Sequence, residues 1–203
     1  TNFELSRNGY NFRKGDKLNQ LRLVYTAHDY ISDDKLKEIN SKDVIIFNDN
    51  DSEIKIENGL KISVSLFEQD NVVAFFAKSN CPTIEFDKIN FHKVEDYWEP
   101  IKTLDKSIII EENKFYILKS KEKVRIPPYL AGEMVAYDTG IGDFRAHYAG
   151  FFDPGFGDPS GSYAVLEVKT NELPFIIEDG QTIARIRYEK LNKKSIIVYG
   201  EGI

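Results

Sequence analysis

Gly150-Phe151-Phe152-Asp153-Pro154-Gly155-Phe156-Gly157-Asp158-Pro159-Ser160-Gly161-Ser162 runs straight into Tyr163-Ala164-Val165-Leu166-Glu167-Val168. The first part holds two Asp-Pro steps and repeated glycines, which set turns and interrupt both helix and strand. The second is a short apolar run of the length that a buried strand takes. The same alternation of run and turn recurs outward in both directions. Runs fall at residues 43–47, 60–66, 72–77, 107–110, 114–118, 123–126, 144–149, 163–168, 175–177, 182–188 and 195–199, separated by Gly, Asn-Asp or Pro. With 14 Phe and 11 Tyr, the apolar set is dominated by aromatic and β-branched residues. That pattern predicts a mainly β chain, a sandwich or a barrel. Helix is predicted at two places only. One is residues 32–39, where Ser32 caps a turn rich in Asp and Lys; the other is the short 94–98 segment.

The chain has 203 residues, 41% hydrophobic and 30% charged, which suffices for a core without staples. One cysteine, Cys81, excludes a disulfide scaffold and fits a reducing, cytoplasmic compartment. A net charge of −6 disfavours a general nucleic-acid binder, which needs a basic excess, but leaves room for a local basic pocket. The longest apolar runs, such as Val72-Val73-Ala74-Phe75-Phe76-Ala77, fall far short of the roughly 18 residues of a membrane span. His28, His92 and His147 lie far apart, and no pair has zinc-site spacing. The opening Thr1-Asn2-Phe3-Glu4 is neither an initiator Met nor a signal peptide, and reads as a fragment or a processed end.

Residues 26–59 are polar and rich in Asp, Asn and Lys. They read as a connector with a short helix; the other reading is one long excursion inside a single domain. A repeat supports a two-part organisation. Asn11-Phe12-Arg13-Lys14-Gly15-Asp16-Lys17-Leu18-Asn19-Gln20-Leu21-Arg22 resembles Ile176-Ile177-Glu178-Asp179-Gly180-Gln181-Thr182-Ile183-Ala184-Arg185-Ile186-Arg187, at an offset of 165 residues. Each reads as strand, Gly turn, then an alternating strand ending in Arg. Residues 1–25 are then the last hairpin of an upstream copy of the domain that residues 60–203 form.

Glu167 is the sharpest chemical candidate. It interrupts an apolar strand, where Leu166 and Val168 should face the opposite side. A carboxylate there is costly unless bonded, paired or catalytic, and burial would raise its proton affinity toward general acid–base work. The plainer alternative is a strand-end Glu facing solvent or bonding an Arg. The 150–162 stretch is either a long hairpin loop or a backbone-rich wall that a planar ligand approaches closely. Arg145 and His147 alternate on one face, either as a structural polar cluster or as phosphate contacts. Arg185 and Arg187 also share a strand face, as cross-strand pairs do.

Several segments together resemble a known family. Phe115-Tyr116-Ile117-Leu118-Lys119-Ser120-Lys121-Glu122-Lys123-Val124-Arg125-Ile126-Pro127 is similar to the strand–turn–strand ahead of the substrate site in dCTP deaminases, members of the trimeric dUTPase-like superfamily. The stretch 149–156, followed by Ala164-Val165-Leu166-Glu167, resembles the family's Ala, Asp-Pro-Gly-aromatic, then a strand ending in the catalytic Glu. Glu178-Asp179-Gly180-Gln181-Thr182-Ile183-Ala184-Arg185-Ile186 resembles its C-terminal Gly-x-x-Ile-Ala strand, and Tyr199-Gly200-Glu201-Gly202 the start of the tail that closes over the triphosphate. With Trp98-Glu99-Pro100 and residues 147–157, the likeness is strongest to the second half of the long, two-domain bacterial form, over roughly residues 60–203.

The resemblance implies a distorted β-barrel with one or two short helices, and hydrolytic deamination of dCTP to dUTP and ammonia without zinc. It implies a triphosphate bound as its magnesium complex, and a homotrimer or pseudo-symmetric assembly with sites at interfaces. Carried over by position, Glu167 activates the water that attacks C4 of cytosine. Backbone groups of Ala149 and Phe151 read the base edge, Asp153 bonds the deoxyribose 3′-hydroxyl, and Phe156 packs on the sugar. One departure stands out. The family's Arg-Ser-Ser-x-x-Arg signature should fall near residues 136–142, which here read Ala136-Tyr137-Asp138-Thr139-Gly140-Ile141-Gly142. No Arg is present, Thr139 is the only hydroxyl matching a Ser position, and Asp138 repels phosphate unless a cation intervenes. Either an upstream half supplies the missing groups across an interface, or this half is a non-catalytic nucleotide-binding or oligomer-completing module. A dUTP hydrolase is a third, more distant reading.

Overall fold

The computed structural model describes residues 14, 30–47, 54–67, 71–85, 87–136, 145–146, 150–170 and 173–201. It is mainly β. Helix α1 (Asp33–Lys42) begins at Ser32, whose hydroxyl accepts the Lys35 N–H at 3.4 Å. Asp33 and Asp34 stand in its first turn and Lys42 in its last, complementing the helix dipole. The helix outruns the predicted 32–39 because Glu38 receives both Lys35 (2.8 Å) and Lys42 (2.6 Å) on its exposed side. Only Leu36 is fully buried, and it joins the core. Asp33 also accepts the backbone N–H groups of Asn58 (2.6 Å) and Gly59 (2.9 Å), fastening the helix start to the sheet.

The strands are β1 (Ile46–Phe47), β2 (Leu60–Ser65), β3 (Val72–Ala77), β4 (Trp98–Lys102), β5 (Ser107–Ile110), β6 (Phe115–Val124), β7 (Leu130–Ala136), β8 (Arg145–Ala146), β9 (Phe151–Phe152), β10 (Ser162–Lys169), β11 (Phe175–Glu178) and β12 (Thr182–Lys190), with a second short helix α2 (Val94–Tyr97) before β4. The large sheet runs β4-β3-β6-β2-β12-β7-β9, and β5 pairs with β11 in a separate ribbon. Long β6 is the spine: β3, β2 and β1 follow one another along one of its edges, while β10 takes the other. A strand paired to four others cannot lie in a flat sheet, and the sheet curls into a half-barrel.

Alternation sets the inside. Ala164, Leu166 and Val168 of β10, Tyr116 and Leu118 of β6, Ile62 and Val64 of β2, and Ile186 and Tyr188 of β12 are all buried. The β5–β11 ribbon closes the core with Ile108, Ile110 and Ile177. Each buried Leu or Ile contributes roughly 2 kcal/mol of transfer free energy. Strands β4, β7 and the two-residue β9 lie outside the predicted runs, and the predicted run 195–199 forms bends and a turn rather than a strand. β4 is an edge strand carrying Glu99 and Pro100, both exposed, so its apolar alternation is broken. In β7, Gly132 is squeezed between Ile126, Phe152 and Ile186, where a side chain would be 3.0–3.3 Å from each, and Glu133 is held by the Tyr30 hydroxyl at 2.5 Å.

Candidate functional site

Glu167 lies in β10 with Leu166 and Val168 buried in the core, so its side chain takes the opposite face. Across β6 it faces Ile117, and Phe75 of β3 follows in the same row. On the other side, β8 pairs with Val168 and Lys169. The carboxylate is half-buried and has no hydrogen bond or ion pair from a described residue. Burial raises its pKa above the ordinary glutamate value. The same face carries Val165 at 64% exposure, with Lys119 opposite it, so an acid of raised proton affinity sits on a mixed surface open to solvent.

The Asp-Pro-Gly loop is built differently. Gly155 N–H bonds the Ile126 carbonyl at 2.6 Å, Ile126 N–H bonds the Phe156 carbonyl at 2.8 Å, and Phe156 N–H bonds the Asp153 carbonyl at 3.0 Å. Phe156 forms the centre of an aromatic cluster, edge-on to Phe152 (4.9 Å) and Tyr199 (5.3 Å). Tyr199 N–H bonds the Pro154 carbonyl at 2.7 Å, which seats the C-terminal segment on the loop. Gly155 makes that seat possible. Its φ is +92°, and a Cβ would come within 2.5 Å of Val198. Phe151 is 40% exposed and pairs through β9 with Glu133 of β7.

The structure therefore gathers Asp153, Phe156 and the tail in one cluster. The loop meets β10 at Ser162, and Glu167 stands five residues further on, roughly 16 Å along the strand. Thr139 and Ala149 lie outside the described residues, as do His147 and all but Lys14 of residues 1–25. Arg185 and Arg187 share a strand face as expected, but neither is exposed. Arg185 is buried, and Arg187 stacks over the Tyr30 ring at 4.8 Å while donating to Asn58 at 3.0 Å. Burial, and after it the bond to Glu133, pushes the Tyr30 phenol up to about 12; that pairing had no local sequence signal, since the two are 103 residues apart.

One cation holds the loop to the rest of the chain. Arg125, just after β6, donates to Asp158 of the loop (2.6 Å), to Asp43 at the end of α1 (2.5 Å) and to the Val44 carbonyl (2.9 Å). Its hydrogen bond, opposed in part by burial, holds the Asp43 carboxyl below the usual aspartate value. A depressed carboxyl stabilises the fold above its unfolded pKa of about 4 and loses that contribution as pH falls through the folded value. Arg125→Gln is expected to cost about 1–2 kcal/mol at pH 7, a figure reduced for the partial exposure of both carboxylates. Thermal unfolding should show the variant converging on the native protein below pH 4; a constant gap across pH would refute the assignment.

Comparisons with known proteins give the family and the fold. The family described as "2'-deoxycytidine 5'-triphosphate deaminase (DCD), C-terminal domain" matches residues 32–203. Among solved structures, the 2'-deoxycytidine 5'-triphosphate deaminase from Agrobacterium tumefaciens is similar at 35% identity and a TM-score of 0.75, over 83% of this chain and 51% of that one. No curated protein sequence matches. The chain thus spans about half the length of that solved relative. The matched profile reaches from the cap of α1 to the last residue, and the chain belongs to the family of dCTP deaminase C-terminal domains, with their dUTPase-like β fold.

Proposed function

We propose that the protein to which this chain belongs deaminates dCTP hydrolytically to dUTP and ammonia, without zinc, with Glu167 as the proton-transfer group. The single observation that carries the reading is the half-buried Glu167 carboxylate, which no described residue bonds or pairs, at the position that the sequence resemblance carries over as the catalytic Glu. Glu167 takes a proton from water as the oxygen adds to C4 of the cytosine. It passes that proton to N3 of the ring, then carries the proton of the new C4 hydroxyl to the amino group; the C4–N bond breaks as the C4 carbonyl forms, and ammonia leaves with the carboxylate restored. Ala149 and Phe151 would present backbone groups to the base, Asp153 the 3′-hydroxyl contact, Phe156 the sugar surface, and Thr139 a phosphate contact. Magnesium enters as part of the substrate, the Mg–dCTP complex.

The separation of Glu167 from the Asp153–Phe156 cluster, and the absence of Arg from residues 136–142, support a site completed by another subunit or an upstream half. A trimer or pseudo-trimeric assembly of paired domains fits that need, with residues 1–25 as the end of the upstream half. The exposed face around Val165 and Glu167 suits such a contact. Among the described residues no helix is long and apolar enough to cross a membrane, and a cytoplasmic setting suits the substrate. The missing Arg equally favours a second reading, a module that binds nucleotide or completes the oligomer without catalysis. Ammonia release from Mg–dCTP separates the two. Activity in a longer protein that adds the upstream half supports deamination; no activity in either form leaves the binding module.

A further inference from the structure

A cleft of about 330 Å3 opens on the outer side of the sheet, where β2, β6 and the turn into β12 meet. Its wall brings together three ammonium groups, Lys55, Lys61 and Lys121, with the hydroxyls of Ser63 and Thr182. Ammonium groups outnumber carboxylates on the wall itself, and two of the three are paired from outside it, Lys61 with Glu57 and Lys121 with Asp179. The one carboxylate on the wall, Glu122, is tied back into the sheet. Its two oxygens accept the Ser63 N–H at 2.8 Å and the Ser63 hydroxyl at 2.6 Å.

The lysines are positioned by the fold. Asp179 accepts the Leu66 N–H at 2.9 Å and holds Lys121 Nζ at 2.8 Å. That places the ammonium over the 179–181 turn, 3.6 Å from where a Gly180 Cβ would stand. Lys61, with a side chain only 18% exposed, is steadied by Glu57. Lys55 has no ion pair among the described residues. Fixed ammonium groups beside the Thr182 hydroxyl match the charge and acceptor oxygens of a phosphate chain.

We propose that this cleft binds a polyphosphate group, from a nucleoside triphosphate or a free inorganic phosphate chain, at a site separate from Glu167. Glu167 points from the far part of β10, and β6 runs between β10 and β2. The cleft therefore does not depend on the deamination reading.

Titration calorimetry of this chain with inorganic tripolyphosphate tests it. Binding should weaken at least tenfold in K55Q/K121Q and several-fold in T182V, and should fall as salt rises. E167Q should leave it unchanged. Because Lys121 also anchors Asp179, K55Q alone serves as the folding-neutral variant and should still weaken binding by about threefold. Parallel titrations with dCTP, dATP and inorganic phosphate identify the source. Equal binding of both nucleotides points to a triphosphate ligand read without its base, and binding of tripolyphosphate alone to a free phosphate chain. Failure to bind any of them at millimolar concentration, or binding indifferent to K55Q and K55Q/K121Q, overturns the proposal. Neither result bears on Glu167, so its failure and that of the deamination reading are told apart.

Discussion

Replacing Glu167 by Gln is expected to lower the deamination rate of the assembled enzyme by about 100- to 10,000-fold, the usual worth of a positioned proton-transfer group. Glutamine keeps the shape of the side chain and its place opposite Ile117, but it cannot accept a proton from water. The fold should not suffer. Burial already disfavours the charged form, as the raised pKa records, so removing the charge leaves stability unchanged or improved at pH 7. Thermal unfolding beside the ammonia assay separates lost chemistry from lost structure. The pH profile gives an independent check. A base must be ionised to act, so the acidic limb of the rate should fall at a pH above the ordinary glutamate value of about 4.3, and should vanish in any residual activity of the variant. An unimpaired E167Q enzyme would assign the proton transfer elsewhere.

Gly157→Ala should be the most damaging substitution to stability in the loop. Gly157 has φ +72°, and a Cβ would lie 2.1 Å from the Val124 carbonyl oxygen and 2.9 Å from the Ser162 nitrogen. Both atoms belong to backbone that pairs β6 with β10, so neither can swing aside as a flexible side chain would. Strain and clash together are expected to cost about 3–5 kcal/mol. For a chain of this size that lowers the melting temperature by about 10 °C. Gly150→Ala is the matched control. Nothing lies within 4 Å of its Cβ position, so its melting temperature should stay within about 2 °C of the native protein. Equal losses in the two variants would mean the loop is not seated against Val124.

Those two glycines stand seven residues apart in one Gly- and Pro-rich stretch, and their sequence context does not tell them apart. The difference arises from Val124, which is far away in the chain and adjacent only once β6 and β10 pair. Elements whose cause is local were readable. Ser32 announced α1 because a cap acts within three residues, and Leu166 and Val168 placed Glu167 on the opposite face because strand alternation has period two. The resemblance added the dUTPase-like fold type, which spacing alone did not.

Elements whose cause is distant were hidden. β7 was missed because Gly132 and Glu133 break its pattern. The reasons for both residues, the crowding by Ile126, Phe152 and Ile186 and the bond from Tyr30, come from other parts of the chain. The Lys121 side chain is pinned by Asp179, 58 residues on, so the cationic cleft had no sequence signature. By itself, then, the sequence determined a β protein with a lone carboxylate on one strand face, since pleat, cap and turn chemistry act over a few residues. Tertiary structure alone decided how exposed that carboxylate is, which glycines are irreplaceable and where the lysines converge, because burial and electrostatics depend on residues that meet only after the sheet has curled.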